Sequence, residues 1–77
     1  MEQKERAAKD VQKLKDIIAE FKQYGLHEKY PAAYEWATNY LHDSEHFLAM
    51  GDFFSSFGAA NYAYGIIDGL LITEGKK

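Results

Sequence analysis

Apolar residues recur at Ala7, Val11, Leu14, Ile18 and Phe21, in steps of four and three, and Ile17 widens the stripe. This is the period of one helical face, so a first helix is expected over about Glu2–Tyr24. Most other positions are charged. Glu2/Arg6 and Glu5/Lys9 fall at i,i+4, the spacing of favourable pairs on a solvated face. Gly25 suits the left-handed residue just past a helix end, with Leu26 packing back on Phe21 in a Schellman motif. Pro31 holds Tyr30 extended and suits the first position of the next helix. Gly25–Tyr30 is then a connector.

A second helix is expected over residues 31–50. At 100° per residue, Ala33, Trp36, Ala37, Tyr40, Leu41, Ser44, Phe47 and Leu48 fill one arc, and Glu35, Thr38, Asn39, His42, Asp43, Glu45 and His46 fill the other. Ser44 lies inside the apolar arc, where its hydroxyl can bond back to the Tyr40 carbonyl as a buried, silent serine. Trp36, Tyr40 and Phe47 read as core, and Tyr34 as one of the more exposed aromatics. Gly51 ends this helix and Asp52 caps the next, over residues 52–73. So tight a turn makes neighbouring helices antiparallel. The expected fold is all-α, an up-down-up three-helix bundle forming one domain over residues 1–77.

The third helix breaks the amphipathic pattern. No charge occurs between Phe53 and Ile67, and apolar residues cover most of its circumference. Phe53, Phe57, Ala60, Tyr64, Ile67 and Leu71 form the expected core face, with a lighter strip of Ala59, Ala63, Ile66 and Leu70. The remaining side aligns Gly58, Gly65 and Gly69 with Tyr62, flanked by Phe54, Ile72 and the polar residues Asn61 and Asp68. A helix apolar nearly all round is normally enclosed. In 77 residues, few other elements are available to enclose it.

Without cysteine, neither disulfides nor cysteine-ligated metal can supplement a small core. The charged start has no apolar signal-peptide core, which leads to the expectation of a cytoplasmic protein. Net charge is −3, unevenly spread: Tyr30 to Gly75 contains six acidic residues and no Lys or Arg. Nucleic-acid binding needs clustered bases to displace counterions from phosphates, so that class is set aside. A membrane-spanning third helix is also set aside, because Asn61, Asp68, the serines and the glycines lower its hydrophobicity.

Interior glycines cost about 1 kcal/mol each relative to Ala. A partner helix approaching Gly58, Gly65 and Gly69, anchored by Phe54, Tyr62 and Ile72, would offset that cost. The competing reading is that another helix of the same chain fills this side. Asn61 and Asp68, one heptad apart, are a candidate buried polar pair. His42, Glu45 and His46 form an H-x-x-E-H pattern, that of inverted zinc peptidases. Both histidines fall on the solvent arc, with no third ligand or cleft in view.

The run Tyr40–Asp52, followed by Ala59–Asp68, resembles a family of short archaeal proteins known only as domain of unknown function 357. The matching positions are Tyr40, Asp43, Phe47, Gly51, Asp52, Tyr62, Gly65 and Asp68. The resemblance covers the second and third helices and implies an archaeal helical bundle with no assigned activity. The functional expectation is a non-enzymatic interaction module without cofactor, a homodimer or a binder of another protein through the third helix. The alternative is a metal-binding protein or metal-dependent hydrolase using His42, Glu45 and His46.

Overall fold

The computed structural model describes residues 2–77, and every element among them is helical: α1 (Gln3–Gln23), α2 (Leu26–Lys29), α3 (Pro31–Met50) and α4 (Phe53–Thr73). The expected three-helix bundle is therefore corrected to four helices. The additional element lies in the connector. Gly25 turns left-handed (φ 76°), and the Tyr30 N–H closes one helical turn onto the Leu26 carbonyl at 2.8 Å. Pro31 then starts α3. Leu26 is buried and belongs to the core, so this single turn also fills space beside Phe21.

The helix ends follow local chemistry. Gly51 adopts φ 84°, its N–H reaches Leu48 O, and the Asp52 N–H reaches Phe47 O. Those two bonds define a Schellman motif, which needs a positive φ that only glycine adopts without strain. Asp52 then caps α4 by accepting from the Ser55 N–H at 3.1 Å, and hydrogen bonding from Ser55, its side chain ahead of its backbone, holds the Asp52 carboxyl below the ordinary range. Gly75 closes α4 in the same way, with Gly75 N–H to Ile72 O and Lys76 N–H to Leu71 O.

Side-chain pairs fix the helix directions. Arg6 meets Phe57, Asp10 meets Asn61 and Lys13 meets Tyr64. The same offset recurs in all three pairs, so α1 and α4 run parallel. In contrast, Tyr62 meets Trp36 and Tyr40 while Ser56 meets Ser44, so α3 and α4 run antiparallel.

Val11, Leu14, Ile17, Ile18 and Phe21 of α1 close on Ala37 and Leu41 of α3 and on Ala60, Ala63, Ile67 and Leu71 of α4. The inner line of α4 is thus Ser56, Ala60, Ala63, Ile67 and Leu71. Phe53, Phe57 and Tyr64, expected at the core, are half-buried at its edge. The reason is packing: small residues at the centre bring α3 and α4 close, and the large rings are displaced to the seams. Trp36, Tyr40 and Phe47 are likewise half-buried rather than enclosed. Ser44 is fully buried, but its hydroxyl donates to Leu41 O at 2.8 Å, not to the expected Tyr40 carbonyl. Tyr34 is not an exposed aromatic, since it is half-buried against His27 with ring centroids 5.5 Å apart.

Candidate functional site

The side of α4 turned away from the core is open. A Cβ added at Gly58, Gly65 or Gly69 would meet no other atom within 4 Å. No helix of the same chain fills this side, which removes the competing reading of the glycines. Around them stand Phe54, 87% exposed, Tyr62 and Ile72, each 57% exposed, and Ile66, 40% exposed. Single exposed apolar residues are ordinary on soluble proteins, but several on one helix face form a patch. All the interaction residues expected from sequence (Phe54, Gly58, Tyr62, Gly65, Gly69 and Ile72) are exposed on α4.

Tyr62 is also the outer member of an aromatic triad. Its ring stands edge-on to Trp36 at 5.2 Å and to Tyr40 at 5.6 Å, and Trp36 lies 4.3 Å from Tyr40. Edge-to-face geometry of this kind adds about 0.5–1.5 kcal/mol per pair beyond burial. Tyr62 therefore projects from a fixed base on α3. At these spacings the rings contact one another and enclose no ligand-sized space.

At the N-terminal end of α4 the patch runs into a groove of about 340 Å³ lined by Gln3, Arg6, Phe53, Phe54 and Phe57. The Arg6 guanidinium lies over the Phe57 ring, 4.8 Å from its centroid. Among the described residues Arg6 forms no ion pair, and the i,i+4 contact with Glu2 expected from sequence is not made. Sequence reasoning missed this groove because no periodicity within either helix reveals how α1 is registered against α4.

The candidate polar pair is separated. Asn61 is exposed, donating to Asp10 Oδ2 at 3.1 Å and to the Phe57 carbonyl at 2.9 Å. Asp68 pairs with Lys77 and is partly exposed. Asp68 points towards the α1 side of α4, so one heptad of spacing left the two on a common flank with different partners. Among the described residues, no group of three His, Cys, Asp or Glu side chains could hold a metal ion. His42 and His46 are exposed, and Glu45 is engaged by Lys15 at 3.2 Å.

A second polar cluster lies at the opposite end. Glu74 accepts from Lys29 Nζ at 3.0 and 3.1 Å and from the Tyr30 hydroxyl at 2.8 Å, tying the end of α4 to α2. The Tyr30 and Lys29 bonds hold the Glu74 carboxyl below its ordinary range. The same contacts raise Lys29 and Tyr30 above theirs.

A family model described as protein of unknown function (DUF357) matches residues 4–74. The chain belongs to the DUF357 family. The match extends beyond the α3–α4 hairpin through α1, which carried too generic a pattern to be recognised from the residues alone. Comparison with curated proteins and with solved structures gives no match. In this DUF357 protein no helix among the described residues is long and apolar enough to cross a membrane. The exposed flank of α4 thus stands as its candidate site: a helical face with aromatic and aliphatic anchors around bare backbone and Asp68 as the one charge at its edge.

Proposed function

We propose that this DUF357 protein is a non-enzymatic self-association module that forms a homodimer through the outer face of α4. One observation carries the reading. Phe54, Tyr62, Ile66 and Ile72 stand exposed around three glycines whose missing side chains leave room that the chain itself does not use. Covering a large apolar side chain fully contributes about 1.5–3 kcal/mol. Bare glycine backbone lets a second helix come close enough to cover several at once.

A second copy fits better than an unrelated helix because the face reads alike from either end. Phe54 and Ile72 lie nine residues either side of Ala63, with Gly58 and Gly69 inside them. A two-fold axis at that level sets Phe54 opposite the second copy's Ile72 and Gly58 within one residue, about 1.5 Å, of its Gly69, the self-complementarity of a symmetric dimer interface. Association costs of roughly 4–15 kcal/mol oppose a contact of this size. The expected dimer is therefore weak, with Kd on the order of micromolar.

Sedimentation equilibrium tests the reading. The wild type should sediment as a dimer at about 100 μM, well above such a Kd. Gly65→Leu, whose added Cβ meets no atom within 4 Å, should stay helical by circular dichroism and sediment as a monomer. A wild type that remains monomeric across that range overturns the proposal.

A further inference from the structure

The groove at the N-terminal end of α4 assigns an orientation and a contact to that self-association. Resting on the homodimer proposed above, we infer that α4 pairs antiparallel with a second copy, whose Ile72 enters the Phe53–Phe54–Phe57 groove while its Asp68 meets Arg6.

The argument begins with the groove. Its walls are three phenylalanines, one of them the most exposed large apolar residue of the chain, and its charged member is Arg6. Arg6 is held over Phe57 and has no carboxylate partner among the described residues. Its occupant should therefore bring an apolar side chain and a negative charge one helical turn apart. The far end of α4 presents that combination. Ile72 is 57% exposed, and Asp68 precedes it by four residues on the same side. Asp68 holds Lys77 through Oδ1, which leaves its other oxygen for a second cation.

Symmetry brings these groups together. In an antiparallel pair centred at Ala63, Phe54 lies level with the second copy's Ile72, and Phe57 lies level with its Gly69 and Asp68. A two-fold axis perpendicular to both helices also keeps like flanks on the same side. The α1-bearing flank of one copy, with Arg6, thus borders the α1-bearing flank of the other, with Asp68. Each dimer contains this contact twice. A parallel pair would leave the second copy's Asp68 about 16 Å along the axis from Arg6, eleven residues at 1.5 Å each.

Disulfide trapping and charge exchange test the orientation. The chain has no cysteine. Positions 54 and 72 of one helix stand about 27 Å apart, far beyond disulfide reach of about 7 Å between Cα atoms. Any bond between Cys at 54 and Cys at 72 must therefore join two molecules. On oxidising an equimolar mixture of Phe54→Cys and Ile72→Cys proteins, the mixed 54–72 disulfide should predominate. Predominance of 54–54 and 72–72 products, or absence of the mixed one, overturns the antiparallel pairing. Arg6→Asp and Asp68→Arg should each raise the dimer Kd about tenfold, and the double variant should recover most of the loss. Simple accumulation of the two losses overturns the Arg6–Asp68 contact. A wild type that dimerises yet fails these tests sinks the orientation alone, whereas a monomeric wild type sinks the self-association beneath it.

Discussion

The hydroxyl of Ser56 donates to the backbone carbonyl of Ser44 at 2.7 Å, and both residues are fully buried. This bond joins α3 to α4 close to their turn, where two small side chains let the helices approach. Ser44 turns its own hydroxyl back to Leu41 O, so both buried hydroxyls have a partner, as buried polar groups require.

Ser56→Ala should therefore destabilise the fold by about 1 kcal/mol, the net worth of an ordinary hydrogen bond. Ser56→Leu should cost more, about 1–3 kcal/mol, because the larger side chain must force the two helices apart. Urea unfolding followed by circular dichroism measures both, and a neutral Ser56→Leu would mean that this contact is looser than described.

The glycines should divide into two groups. Gly51→Ala places a Cβ on a residue at φ 84°, and should destabilise by about 1 kcal/mol even though no atom stands in its way. Gly58→Ala occupies open space on an ordinary helical residue and should stabilise the isolated chain by up to about 1 kcal/mol. If α4 self-associates, the same Gly58→Ala should also weaken the dimer. Thermal melts at low concentration and sedimentation at high concentration would register these effects separately; a loss of monomer stability in Gly58→Ala would count against an open flank.

The Glu74 cluster should give stability a pH dependence at both extremes. The folded Glu74 carboxyl titrates below its unfolded value, so its contribution is present above that unfolded value and is lost as pH falls through the folded one. Lys29 and Tyr30 titrate above theirs, so their contributions are present below the unfolded values and are lost as pH rises through the folded ones. Glu74→Gln should thus lower the melting temperature at neutral pH, and the gap to wild type should close under acid. A gap independent of pH would show that charge plays no part in the latch.

The H-x-x-E-H residues should behave as separate surface groups. His46→Ala and His42→Ala should leave the melting temperature unchanged, with or without added zinc. A zinc-dependent rise in the wild type, lost in either variant, would establish a metal site that the geometry does not provide.

The chain alone determined the parts that depend on neighbours in sequence. Helix bounds followed from Pro31, Gly51 and Asp52, because caps and breakers act within a turn. The stripe Ala7–Val11–Leu14–Ile18–Phe21 was legible for the same reason: a helix is stiff, so spacing fixes which residues share a face. The spacing also showed that three glycines share one side of α4, but whether another helix of the chain covers that side was left open, and only the packing shows it bare.

Tertiary structure decided the rest. Which residues of an almost wholly apolar helix turn inward cannot follow from its weak periodicity, and the small residues Ser56 and Ala63 took the centre while Phe53 and Phe57 moved to the seam. The register of α1 on α4 created the Arg6 groove and sent Asn61 to Asp10 and Asp68 to Lys77. Register is a sum of many small contacts across helices distant in sequence, so no local pattern records it.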